Sequence, residues 1–205
     1  SPSPTPTEGP TPTPDPDAKI LNIKIGIDAI GTTPRIPVGN KNPRNVNRTL
    51  NIKYFDAVKN SQTGSAEETV TYNPDSQQFE AITETPNLLP DGIYNIFVTA
   101  PSFLSRQYPG SVTLTKGSTV NLTSKNFYLI TGNVTNENES EDKIDLADYH
   151  VLLSCSIYGR EKDTCNKNSS YMSNSDLDDD AIVNENDLTY WLKEVANQEG
   201  DIIPE

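Results

Sequence analysis

Histidine, cysteine and long apolar runs are what this chain of 205 residues has least of, and each shortage excludes a class of function. The one histidine, His150, leaves a Ser-His-Asp set without any other base to draw on. Together with Cys155 and Cys165 it makes a poor zinc spacing. No glycine-rich phosphate loop is present. Aromatic residues make up 7% of the chain, few for a sugar cleft, even though paired carboxylates abound. No apolar run approaches the roughly 18 residues that span a bilayer, so membrane insertion is not expected. The sequence therefore reads as that of a non-enzyme.

Positive charge is scarce at one end. The net charge is −13, and residues 137–205 hold 18 acidic against 5 basic side chains, which leaves residues 1–136 balanced at 11 against 11. So acidic an end repels nucleic acid and anionic lipid and invites cations. The two cysteines lie ten positions apart in a chain with Asn-x-Ser/Thr sequons at Asn47, Asn121, Asn133, Asn138 and Asn168. An extracellular or cell-surface setting fits both facts, with a Cys155–Cys165 disulfide worth about 2–3 kcal/mol; two free thiols are the alternative. The chain opens at Ser1 with neither initiator methionine nor signal peptide, and so reads as a processed or trimmed product.

Three segments follow from the patterning. Residues 1–18, "SPSPTPTEGPTPTPDPDA", hold seven of the sixteen prolines and should form an extended polyproline arm or linker without a core. Ser1, Ser3, Thr5, Thr7, Thr11 and Thr13 alternate with proline there, the composition of an O-glycosylated stalk, which makes glycans a possible partner. Residues 19–130 alternate with period two. Leu21, Ile23, Ile25 and Ile27, then Leu50, Ile52 and Tyr54, then Tyr94, Ile96 and Val98 each line one face of a strand. Hairpins are expected about Asn73–Ser76 and about Lys116–Ser118. Seven or eight strands with no helix between them point to an antiparallel sandwich.

The line "LPDGIYNIFVTAPSFLSRQYPGSVTLTKGSTVNLTSKNFYL" resembles the carboxypeptidase regulatory-like, prealbumin-like sandwich of secreted bacterial surface proteins, through its Gly-x-Tyr strand, Ala-Pro corner and Lys-Gly turn. The resemblance implies a Greek-key scaffold or adhesive domain without catalytic residues.

The acidic end carries the sharpest motif. In "DLDDDAIVNEND" Asp176, Asp178 and Asp180 take the first, third and fifth places of a twelve-residue loop. Ile182 would offer its carbonyl at the seventh place, Asn184 would act through water, and Asp187 would close the sphere. Five aspartates in twelve residues repel one another unless a divalent cation offsets them. A solvated, disordered tail is the competing reading of such a charge run.

After Asp187, "LTYWLKEVANQ" places Leu188, Trp191, Leu192 and Val195 on one helical face. One loop and one helix resemble the repeat of dockerin modules, which carry two. The partner repeat is "GNVTNENESEDKIDLADYHVLLSC". The resemblance implies Lys143 (through its carbonyl), Asp145 and Asp148 at the end of that loop. Asn133 opens it in one register; Glu137, Glu139 and Glu141 open it in the other. Ala181 stands where the family prefers glycine. The expected whole is a mainly β protein with a small α module: a sandwich over 19–130, then two calcium loop–helix repeats over 131–205 holding two Ca2+ ions.

Two functions fit this organisation. In one, the chain is a calcium-stabilised structural subunit of a cell-surface or filamentous homopolymer, self-associating through its extended arm. In the other, it is a docking or adhesion module that binds a cohesin-like receptor or a carbohydrate.

Overall fold

The computed structural model describes residues 16–31, 40, 42–86, 89–124, 127–135, 142–157, 159 and 164–195. The serines and threonines of the arm, Ser1, Ser3, Thr5, Thr7, Thr11 and Thr13, lie outside these residues, as do Glu137 and Glu141. The chain is mainly β. The strands are β1 (Ile20–Ile27), β2 (Asn47–Asp56), β3 (Ser61–Asn73), β4 (Gln78–Glu84), β5 (Gly92–Thr99), β6 (Ser102–Leu104), β7 (Arg106–Gln107), β8 (Val112–Leu114), β9 (Thr119–Leu122) and β10 (Tyr128–Asn133). They are followed by helices α1 (Leu146–Cys155), α2 (Tyr171–Ser175) and α3 (Glu185–Glu194).

Alternation in the sequence becomes alternation in burial. Leu21, Ile23, Ile25 and Ile27 of β1, Leu50, Ile52 and Tyr54 of β2, and Tyr94, Ile96 and Val98 of β5 all enter one core. The strands form a continuous path, β6-β10-β1-β4-β3-β2-β5-β7, with β8 added to β5 and β9 to β1. Sharing a single core across β1, β2 and β5 requires this path to fold over as a sandwich or barrel. Gly92 and Tyr94 show why the Gly-x-Tyr pattern matters. The Tyr94 hydroxyl donates to the Pro90 carbonyl at 2.7 Å, and a Cβ at position 92 would meet the Tyr94 ring and hydroxyl at 3.2–3.4 Å.

Two sequence expectations need correction. First, the sheet is not purely antiparallel: β1 runs parallel to β9 along Ile20–Ile23 and parallel to β10 at Gly26 and Ile27. Side-chain alternation reports which face is buried and carries no information on strand direction. Ninety-nine residues separate Asn22 from its partner Asn121, so no short hairpin dictates the direction. Second, the Lys116–Ser118 turn forms, with Ser118 N–H donating to the Thr115 carbonyl at 2.9 Å and Gly117 at φ 68°, but its arms do not make a hairpin. They part, β8 to β5 and β9 to β1, so the turn carries the chain across the sandwich. The Asn73–Ser76 hairpin is present: β3 and β4 pair at Asn73 and Gln78, and the Asn73 side chain accepts from Asp75 N–H at 2.9 Å.

A second core joins the helices to the last strand. Val134, Ile144, Val151, Leu152, Leu177, Val183 and Trp191 cluster with Leu104 and Ile130 from the sandwich. The Cys155–Cys165 disulfide lies within it, with Cα atoms 5.0 Å apart, and ties the end of α1 to the 3-10 turn at Cys165–Lys167. On α3, Trp191 is buried and its ring lies 5.0 Å from that of Tyr149, whereas Leu192, expected on the same face, is 55% exposed. The buried stripe runs through Asp187, Trp191 and Glu194, at intervals of four and three, and Leu192 falls about 100° away from it. Among the described residues no helix is long and apolar enough to cross a membrane.

Candidate metal centre

The loop between α2 and α3 is shaped by its own carboxylates. Asp176 accepts from the backbone N–H groups of Asp180 at 3.0 Å and Ala181 at 2.9 Å, and Asp180 accepts from Ile182 N–H at 2.7 Å. These bonds coil the loop tightly enough that Asp179 and Ala181 take positive φ, 64° and 78°. Asp tolerates that region; alanine is strained in it, which accounts for the glycine expected at position 181.

Asp187 stitches the two ends together. As the third residue of α3 it accepts from Asn184 N–H at 2.7 Å, and its other oxygen accepts from Leu177 N–H at 2.6 Å and Asp178 N–H at 3.3 Å. Asn184 is the N-cap, accepting from Asn186 N–H at 2.8 Å, while its amide donates to the Ile182 carbonyl at 3.0 Å. The sequence S/T/D/N-x-x-D/E at the head of a helix is a reciprocal cap, and Asn184 with Asp187 forms one.

The outcome is convergence. Carboxylate oxygens of Asp176, Asp178 and Asp187 lie within 4.8 Å of one another. Their electrostatics record the cost. Burial first, and then the charges of Asp187 and Asp180, push the Asp178 carboxyl up to about 6. Burial likewise raises Asp176 and Asp187 above the usual carboxylate range, against the pull of their backbone N–H donors. Three hard oxygen donors that repel one another fit a divalent cation, which would take the place of the missing positive charge.

The first repeat ends in the same way and begins differently. Asp145 is the N-cap of α1 and accepts from Ala147 N–H at 2.7 Å; Asp148, the third helical residue, accepts from Asp145 N–H at 2.8 Å. The other Asp148 oxygen accepts from Thr135 N–H at 2.9 Å and the Thr135 hydroxyl at 3.0 Å. Thr135 is thus to Asp148 what Leu177 is to Asp187. That equivalence puts Val134, which has no side-chain oxygen, where the second loop has Asp176. Asn133 instead donates its amide to Asp142 at 3.1 Å, and Asp142 also accepts from the backbone and hydroxyl of Ser105. The Lys143 side chain pairs with Asp145 at 3.6 Å. The structure brings Asn133 to Asp142 and Asp148 to Thr135.

Sequence reading missed Asp142 and Asp179, both engaged by the sandwich. It had no signal for either, because their partners, Ser105 for one and Asn45 with Arg48 for the other, are distant in the chain. A cavity of 320 Å3 sits beside the loop, lined by Arg48, Phe103, Thr131, Asn174 and Asp176 among others. It contains no histidine, and His150 is exposed on α1.

No protein-family model matches the sequence, and no curated protein matches it. The chain is similar to a chain in the crystal structure of a type II cohesin–X-dockerin complex from Acetivibrio cellulolyticus, a C-terminal interface mutant. The identity is 15%, the match covers 85% of this chain and 93% of that one, and the TM-score is 0.46.

Proposed function

We propose that the protein is a non-enzymatic, extracellular protein-binding subunit whose C-terminal lobe is held in shape by Ca2+ at the second loop. The convergence of Asp176, Asp178 and Asp187 carries this reading. A twelve-residue loop with acids at the first, third, fifth and twelfth places suits the six to eight oxygens that calcium takes, and Asp180 and the Ile182 carbonyl, at the fifth and seventh places, would be further donors. A second ion at the first loop would draw on Asp145 and Asp148 with Glu137 and Glu141. The support is weaker there, since Val134, without a side-chain oxygen, stands where the second loop has Asp176.

What the subunit binds divides into two readings. In the first it self-associates into a cell-surface or filamentous homopolymer, the proline-rich arm of one copy reaching the next; an extended segment without internal hydrogen bonds is suited to such head-to-tail contact. In the second it docks on a cohesin-like receptor. Leu146, Ile182 and Leu192, exposed at 78%, 49% and 55% on the small C-terminal lobe, are large apolar side chains that a protein partner would cover in either reading. Light scattering and negative-stain microscopy of the full chain, in calcium and in EGTA, separate the two. Fibres that dissolve in EGTA establish the homopolymer. A monomer in both conditions removes it and leaves the docking reading, which then requires calcium-dependent capture of a purified cohesin domain.

A further inference from the structure

Asp179 lies outside the cluster formed by Asp176, Asp178 and Asp187, and the sandwich holds it. Its Oδ2 accepts from Asn45 N–H at 2.7 Å and its Oδ1 accepts from the Asn45 side-chain amide. The Arg48 guanidinium stands 2.7 Å from Oδ2, as an ion pair without an aligned hydrogen bond. Arg48 belongs to the start of β2 and Asn45 lies two residues before that strand, 134 residues away from Asp179. Asp179 is 5% exposed and lies between Asp178 and Asp180 in the left-handed conformation, φ 64°. The direction of the chain at this residue therefore sets how far apart its two neighbours' carboxylates stand. A further bond, from Gly31 N–H to the Asp178 carbonyl at 3.3 Å, ties the peptide before Asp179 to the chain just after β1.

We propose that Arg48 and Asn45 are positioning residues for the cation loop: by clamping Asp179 they hold Asp176, Asp178 and Asp187 in a cation-ready arrangement and make ion binding and lobe docking one linked equilibrium. The proposal rests on the calcium reading given above. Linkage is reciprocal, so whatever the docked sandwich adds to ion affinity, the ion returns to docking.

The sign of one substitution separates this from simple electrostatics. Arg48 is a positive charge beside a cation site, and on charge alone Arg48→Met would tighten Ca2+ binding by leaving the loop more negative. If Arg48 acts by positioning, the same change weakens binding. Supporting partners of metal ligands are typically worth about 10- to 100-fold in affinity.

The test is calorimetric titration of the full chain with Ca2+ at 20 °C, beside melting of the same proteins in EGTA. Arg48→Met and Asn45→Ala should each weaken Ca2+ binding about 10-fold, and Arg48→Lys, which keeps the charge and loses the fork, by less. Unchanged or tighter binding in Arg48→Met overturns the proposal, as does a lower melting temperature in EGTA with unaltered affinity, the mark of a merely structural contact. Should Arg48→Met fail to fold, Asn45→Ala decides by the same criterion. A wild-type chain that takes up no Ca2+ overturns the calcium reading itself, whereas variants matching a calcium-binding wild type overturn only the positioning role.

Discussion

At the scale of single residues, buried carboxylates at the junction of the two lobes are where the chain stores unfavourable energy. Asp28, at the end of β1, is 5% exposed; its Oδ2 has no hydrogen-bond partner, and Lys193 of α3 stands 3.8 Å from its other oxygen. Burial lifts its carboxyl to about 6, with Glu194 adding to the rise and Lys193 and the Ala29 N–H opposing it. An acid whose folded pKa is raised keeps its proton longer in the folded state, so its contribution to stability is complete below about 4 and disappears as pH rises through about 6. Two pKa units correspond to roughly 3 kcal/mol at most. Asp28→Asn, which stays neutral, should flatten the fall in stability between pH 4 and pH 7 and melt at or above the wild-type temperature at pH 8. Denaturant titrations of both proteins in EGTA across that range check it; a variant that keeps the wild-type slope would refute the assignment to Asp28.

At the scale of elements, the two ten-residue helices α1 and α3 are built on one plan, a capping aspartate or asparagine and an aspartate three residues on that ties the helix to the chain before it. The plan predicts a contrast within one loop. Asp187→Ala strands the N–H groups of Leu177, Asp178 and Asn184 and should cost about 2 kcal/mol in EGTA and more in calcium, where it also removes a carboxylate from the cation site. Asp178→Ala loses a 3.2 Å bond from Asp180 N–H and sheds like-charge repulsion; its melting temperature in EGTA should lie close to the wild type's, while the rise on adding calcium disappears. Scanning calorimetry of both variants with and without calcium distinguishes the two roles, and a calcium response retained by Asp178→Ala would exclude Asp178 as a ligand. The same elements show what was legible beforehand. Strand faces and the loop–helix repeat are local patterns of one side chain per few residues, and they were readable. The parallel partners of β1, the parting of β8 from β9 and the capture of Asp142 and Asp179 depend on residues far apart in the chain, and local pattern carries no record of them. Leu192 misled because Leu188, Trp191, Leu192 and Val195 complete an apolar helical face at i, i+3, i+4 and i+7, whereas the buried side is centred on Asp187, Trp191 and Glu194, two of them acids that an apolar pattern passes over.

At the scale of the whole molecule, the two cores differ in what holds them. The sandwich core draws on most of the strands, whereas the helical core takes Leu104 and Ile130 from them, with Tyr128 packed against it, and depends on short helices, one disulfide and an acidic loop. Residues 137–205 carry the entire excess of negative charge, so without a cation the helical lobe opposes its own compaction while the sandwich does not. The lobes should therefore come apart in stability when calcium is removed. The chain contains a single tryptophan, Trp191, and it is buried in the helical core, so its fluorescence reports on that lobe alone, while circular dichroism is dominated by the strands. In EGTA the Trp191 transition should precede the loss of β signal; at a calcium concentration 100-fold above its dissociation constant the helical lobe gains about 2.7 kcal/mol, and the two transitions should draw together. Heating the full chain with both probes recorded, in EGTA and across a calcium series, tests this. Coincident transitions in EGTA that calcium does not move would mean that the lobes melt as one body and that the aspartates of the loop hold nothing between them.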